Sequence, residues 1–146
     1  MQKISIACDH AGFHLKQIII SFLKEKSIEV IDFGTDSEES MDYPDIAHPF
    51  AGSIEKKICE KGIIICGSGN GVSMVVNKYG AIRCALCWTE EIASLARQHN
   101  DANVVALPAR FVSNEDALKI INVFLNTEFE GGRHQNRVEK INKIVQ

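Results

Sequence analysis

Cys66 ends the apolar run Ile63–Ile65 and is followed by glycine at every second position, Gly67, Gly69 and Gly71, with Ser68 and Asn70 between them. A cysteine beside such a loop can serve as base or nucleophile, because the dipole and amides of a following helix favour thiolate over thiol. The glycine backbone leaves N–H groups exposed, which suits an oxyanion or other negative charge. Two nucleotide readings fail on the residues. A Walker A loop requires lysine directly after its last glycine, and here none follows until Lys78. A dinucleotide fingerprint requires a third glycine where this chain has Val72. At the level of local pattern, two bland readings remain open: an inert buried cysteine, and a tight strand-to-helix connection.

Other chemistry-bearing residues fall into three groups. Asp9 and His10 follow the first apolar run, where Asp9 can cap the next helix. His99 and Asn100 end a helical pattern, with Asn100 suited to a left-handed cap and His99 favoured by the helix C-terminus. Arg133 and Arg137 are four apart at the start of the last helix, where two cations oppose the macrodipole and a bound phosphate would remove the conflict. Cys84 and Cys87 form a C-x-x-C inside IRCALCW. That segment reads as a strand, whose residues three apart point to opposite faces, so both are assigned to the core rather than to a metal or a redox pair.

The elements that must position these groups alternate between two periods. Strands are predicted at Lys3–Cys8, Ile28–Phe33, Ile63–Cys66, Ala81–Trp88 and Asn103–Leu107. Between them lie a helix with Leu15, Ile18, Ile19, Phe22 and Leu23, a second from Pro44 to about Cys59, a short one to about Lys78, and a fourth capped by Thr89 with Ile92, Leu95 and Ala96 as its apolar face. A fifth helix, capped by Ser113 or Asn114, runs to about Leu125, and a sixth carries Val138, Ile141 and Val145 as a narrow apolar stripe. Five such alternations predict one α/β domain over residues 1–146, a Rossmann-like three-layer α/β/α sandwich with a five-stranded, mostly parallel sheet. Ligands in such folds sit outside the carboxyl ends of the strands. Cys66, Asp9 and His10 lie there, whereas His99 belongs to the opposite edge, so one subunit could hardly bring it to Cys66.

Composition narrows the partners. The chain has 146 residues, a net charge of −3 and five scattered arginines, leaving no basic face for nucleic acid. Nowhere do about 18 apolar residues run together, and the N-terminal apolar run is too short for a signal peptide, so no membrane association and a cytoplasmic location are expected. Five cysteines without a dense regular spacing are expected to be free thiols.

Taken together and in order, CDHAGF, DYPD, CGSGNG, SLARQHND and EGGRHQNR closely resemble the family of type B ribose-5-phosphate isomerases and galactose-6-phosphate isomerase subunits. The resemblance spans essentially the whole chain. It implies a metal-free, cofactor-free aldose–ketose isomerase acting on a sugar phosphate, assembled as a homodimer whose sites are shared between subunits, with a tetramer also open. It implies that Cys66 is the base between C2 and C1, that Ser68 hydrogen-bonds the enediolate, and that His99 donates a proton in ring opening. By the same resemblance Asp9, His10, Tyr43 and Asn100 bind sugar or phosphate, Gly67, Gly69, Asn70 and Gly71 line the reacting end, and Arg110, Arg133 and Arg137 hold the phosphate. The last helix would then pack on a partner subunit. Many members have threonine where this chain has Ser68, and another branch uses a glutamate at the place of Val72 instead of the cysteine. The rival readings are an isomerase of allose or galactose 6-phosphate, the latter working as paired unlike subunits, and a non-catalytic sugar-phosphate sensor.

Overall fold

The computed structural model describes residues 2–144, so Val145, counted above in the last apolar stripe, lies outside the described residues. The elements run β1 (Lys3–Cys8), α1 (Phe13–Glu25), β2 (Glu29–Asp32), α2 (Pro44–Glu55), β3 (Lys61–Cys66), α3 (Asn70–Val76), β4 (Cys84–Leu86), α4 (Glu90–Asn100), β5 (Val104–Pro108), α5 (Asn114–Asn126) and α6 (Arg133–Lys140). The five strands form one sheet in the order β2-β1-β3-β5-β4. Every pairing is parallel. From β1 the chain crosses to β2 on one side and then to β3 on the other, which makes the gap between the carboxyl ends of β1 and β3 the topological switch point.

Two apolar layers cover the sheet. On one face Ile4, Ile6, Cys8, Ile63, Ile65 and Leu107 pack against Leu15 and Ile19 of α1, Ala96 of α4 and Ile120 and Phe124 of α5. On the other, Ala7, Ile64, Cys66 and Ala106 pack against Phe50 and Ile54 of α2 and Val72 and Val76 of α3. Alternate strand residues thus divide between the faces, as the two-residue period demands. Cys84 and Cys87 obey the same rule: Cys87 joins the first layer and Cys84 borders the second.

Three expectations need correction. The fourth strand is confined to Cys84–Leu86 rather than Ala81–Trp88. It is an edge strand, and its entry is held by a side chain: Asn77 Oδ1 accepts from Cys84 N–H at 2.8 Å while Asn77 Nδ2 donates to Cys84 C=O at 3.1 Å. The buried face of α4 is Ala93, Ala96 and Arg97, leaving Ile92 47% exposed. Arg97 is tolerated there because its guanidinium donates to Thr127 C=O, Asp101 Oδ1 and Ala102 C=O at 3.0, 2.9 and 2.7 Å. The left-handed cap of α4 falls on Asp101, at φ 47°, not on Asn100. The other caps lie where the residue types put them, with Thr89 Oγ1 accepting from Ile92 N–H and Ser113 Oγ from Asp116 N–H.

Lys16 is fully buried, yet its ammonium has two acceptors, Asp32 Oδ1 at 2.7 Å and Thr35 C=O at 2.5 Å. Thr35 and Gly34 are in turn bonded to both backbone groups of Cys8, each at 2.7 Å. The segment leaving β2 is therefore fastened to the carboxyl end of β1. Among the described residues no buried side-chain nitrogen or oxygen lacks a hydrogen-bond partner, and no helix is long and apolar enough to cross a membrane.

Gly62, at the start of the buried β3, has its missing side chain replaced by the ring of Phe50, itself fully buried. A Gly62→Ala methyl would collide with that ring and approach Ser5 C=O at 3.3 Å. The expected cost is about 1–3 kcal/mol of stability, read as a lower urea midpoint with an unchanged m-value.

Candidate active site

Strand register decides which residues meet. Cys8 pairs with Ile65, and Asp9 N–H donates to Ile65 C=O at 3.0 Å. Asp9 and Cys66 are therefore the first residues on either side of the switch point. Cys66 in turn pairs with Pro108, and the chain beyond β5 folds back on the glycine loop: Ala109 N–H donates to Cys66 C=O at 2.9 Å and Arg110 N–H to Gly67 C=O at 3.0 Å. A Cβ at Gly67 would stand 3.1 Å from the Arg110 guanidinium, so the bare glycine lets that side chain lie across the loop.

The loop itself is organised around the sulfur. Gly69 N–H donates to Cys66 Sγ at 3.1 Å, the kind of donor a sulfur needs when it carries negative charge. Gly69 reaches that position at φ 75°, in the left-handed region where glycine carries no penalty, with Leu86 packed against its bare Cα. Ser68 Oγ accepts from Asn70 N–H at 3.3 Å, which leaves its own O–H to donate elsewhere. The first intrahelical bond of α3 is Ser73 N–H to Gly69 C=O at 3.3 Å, so the N–H groups of Gly71 and Val72 precede it and have no partner within the helix. Cys66 is 5% exposed.

Asp9 is buried and its Oδ1 accepts from Ala11 N–H at 3.0 Å, capping a short 3-10 turn over His10–Gly12. His10 Nδ1 accepts from Met41 N–H at 3.3 Å, which leaves Nε2 to carry the proton. Tyr43 caps the Pro44 end of α2, and its ring lies on Gly71, where a Cβ would come within 2.5 Å of Cζ. Asp9, His10, Tyr43, Cys66, the loop Gly67–Gly71 and Arg110 thus converge at the carboxyl edge of the sheet.

His99, Asn100, Arg133 and Arg137 do not join them. They gather at the opposite edge, where His99, Asn100, His134, Arg137, Val138 and Ile141 line a cavity of about 280 Å³. The His99 and His134 rings stack there, with centroids 4.2 Å apart, and His99 Nε2 faces Glu130 Oε1 at 3.6 Å. Loss of water, together with the neighbouring His99 and Arg133, holds His134 below the ordinary histidine range. Each chain therefore carries two separate clusters of the expected residues, with the thiol in one and the imidazole in the other. Lys16, Glu130 and His134, which the structure places beside these clusters, were not among the residues expected there. Glu130 and His134 lie inside EGGRHQNR on either side of its two glycines, a signal in the sequence, whereas a lysine on a helix gives no sign of full burial.

Three of the other thiols are held in their neutral form. Burial pushes Cys8 up to about 11 and Cys87 up to about 12, and drives Cys84 up as well. They stand as neutral core groups.

A family model described as ribose/galactose isomerase matches residues 4–141. The chain is 46% identical over 146 residues to ribose-5-phosphate isomerase B of Escherichia coli (strain K12), an alignment covering 100% of this chain and 98% of that protein. It is 46% identical over 139 residues to a probable ribose-5-phosphate isomerase B of Mycoplasma pneumoniae, covering 94% and 91%. Among solved structures it resembles a ribose 5-phosphate isomerase of Thermotoga maritima, with a TM-score of 0.96, 48% identity and coverage of 98% and 99%. It also resembles the enzyme of Mycoplasma genitalium with bound ribulose-5-phosphate, with a TM-score of 0.92, 45% identity and coverage of 95% and 93%.

Iodoacetamide at pH 8 is expected to alkylate Cys66 first. Peptide mass mapping over time checks this, with Cys8, Cys84 and Cys87 labelled only on unfolding.

Proposed function

The chain belongs to the ribose/galactose isomerase family, and from that premise we infer that it interconverts D-ribose 5-phosphate and D-ribulose 5-phosphate, an aldose–ketose isomerisation of the non-oxidative pentose phosphate pathway. The observation that carries the reading is Cys66 at the switch point with Gly69 N–H on its sulfur, in a chain alike over its full length to a ribose-5-phosphate isomerase.

The chemistry assigns each group a task. The cyclic aldose must first open, which requires a proton on the ring oxygen, and His99 supplies it. Cys66 as thiolate then removes the proton on C2, leaving an enediolate whose charge rests on the oxygen of the former carbonyl. N–H groups of the Gly67–Gly71 loop and the free O–H of Ser68 stabilise that oxygen without reorganising, the main electrostatic contribution in such reactions. The O2 hydroxyl proton passes to O1, which moves the charge to O2, and Cys66 returns the carbon proton to C1 from the same face, giving the ketose with its carbonyl at C2. Asp9, His10, Tyr43 and Asn100 hold the hydroxyls, while Arg110, Arg133 and Arg137 anchor the unreactive phosphate and so place C1 and C2 at the sulfur. The residues require no metal and no cofactor for these steps.

The division of the chain into two half-sites supports a homodimer in which Cys66 of one subunit works with His99 of the other. A two-fold pair makes two such sites, each incomplete without the second copy. The stacked and exposed Trp88 and Phe111, on either side of Arg110 in sequence, offer apolar surface for that second subunit at the thiol edge. Val138 and Ile141 offer the same at the other. Such an enzyme acts among soluble metabolites in the cytoplasm.

Purified protein assayed with ribose 5-phosphate and, side by side, allose 6-phosphate is expected to turn over the five-carbon sugar faster, with EDTA causing no loss. Cys66→Ala is expected to lower kcat by about 10²–10⁴-fold with the fold retained. Retained activity in that variant would refute the thiol as base.

Mixing tests the shared site independently. Cys66→Ala and His99→Ala protein, each inactive, are expected to recover about a quarter of wild-type activity after co-refolding, because half the dimers are mixed and each mixed dimer holds one intact site. A mixture as inactive as its parts would place both residues in one subunit's site.

A further inference from the structure

His99 is held from two sides by one turn. Gly131 and Gly132 both have positive φ, 67° and 57°, a conformation side-chain-bearing residues rarely adopt. The turn reverses the chain so that Glu130, before it, and His134, after it, both return to His99. It is fastened by Glu130 N–H to Gln98 C=O at 3.1 Å and His134 N–H to Gly131 C=O at 3.1 Å. The first of these ties the backbone of Glu130 to the residue just before His99. The imidazole thus has a neighbouring ring on its face, planes 13° from parallel, and a carboxylate at Nε2.

We propose that Glu130 is a positioning residue for ring opening, acting through His99. Its carboxylate, 3.6 Å from Nε2, favours the proton at that nitrogen and balances the positive charge of the protonated imidazole, leaving Nδ1–H as the proton that is given away. In that step the bond between C1 and the ring oxygen breaks and the ring oxygen takes the Nδ1 proton. The anomeric oxygen forms the C1 carbonyl and releases its own proton to water. His99 is left neutral, still protonated on Nε2 against Glu130. The stacked His134 prevents the ring from turning out of that plane. One ligand atom from each of His99, Glu130 and His134 lies within 4.8 Å of the other two, a spacing that would also suit a cation. Near-parallel rings aim their in-plane lone pairs past a common point, however, and Arg133 and Arg137 add positive charge beside His134. The cluster is built for a proton.

The proposal rests on the reading of His99 as the ring-opening acid, and the two can be separated by choice of substrate. Ribulose 5-phosphate has its C5 oxygen blocked by phosphate and cannot close a five-membered ring. Exchange of its C1 hydrogen with D2O, followed by proton NMR, therefore needs only Cys66 and the enediolate. Glu130→Gln, folded as judged by its melting temperature, is expected to lower kcat for ribose 5-phosphate by about 10- to 100-fold while C1 exchange stays within about twofold. Equal loss of both activities, or loss of neither, overturns the role of Glu130. His99→Ala is run alongside: the same split supports ring opening by His99, and its absence there sinks that reading itself. If EDTA restores the Glu130→Gln rate, or changes the wild-type rate, the cluster handles a cation and the proposal falls.

Discussion

Parallel pairing of Lys3–Cys8 with Lys61–Cys66 in a single register is the constraint on which the site depends. Because Cys8 opposes Ile65, the first residue past one strand and the last residue of the other meet at the same height, and Asp9 faces Cys66 across the switch point. A slip of one residue would turn Cys66 toward α1 and put Ile65 against the loop, since a strand has only two sides. The register is fixed by what is buried on both faces. Ile63 and Ile65 must lie with Leu15 and Ile19, and Ile64 must lie with Phe50 and Val72. The position of the Cys66 sulfur is thus decided by isoleucines buried on the two faces of the sheet.

Charge is buried only where the backbone needs fastening. Lys16 closes the first βα edge by bonding Asp32 and Thr35. Arg97 closes the opposite edge by bonding Thr127, Asp101 and Ala102, with its guanidinium over the Phe124 ring at 5.9 Å. Neither arrangement could be replaced by removing one partner, which would leave an uncompensated charge in the core. The first sets the exit of β2 toward His10 and Tyr43. The second sets the end of α4, and with it His99. The two residue clusters are therefore each backed by a buried, hydrogen-bonded cation.

The layer architecture was legible in the sequence because its signals are periodic and redundant: unbroken β-branched runs for strands buried on both faces, and Thr89 and Ser113 ahead of helical patterns. Local competition for backbone groups was not legible. Asn77 takes both polar groups of Cys84, which shortens the fourth strand, and nothing in its residue type announces that. Arg97 hides inside α4 while Ile92 stays outside, the reverse of what hydrophobicity ranks, because its guanidinium makes three hydrogen bonds, two to the neighbouring Asp101–Ala102 turn and one to Thr127, thirty residues on. The cluster around Cys66 could be read from spacing, being one loop on one strand. The placement of Glu130 beside His99 could not, because it depends on two glycine dihedrals that return the chain to a helix ended thirty residues earlier.

The ring of Tyr43 occupies the space that a side chain at residue 71 would fill, with its Cζ, Cε1 and hydroxyl all inside contact distance of a Cβ there. The constraint runs one way. Bulk at 71 has to displace the exposed ring at 43, whereas a smaller residue at 43 leaves the glycine undisturbed. The two positions, 28 apart in the chain, are thus sterically coupled, and a lineage reaches bulk at 71 with less strain after the ring at 43 has been lost than before.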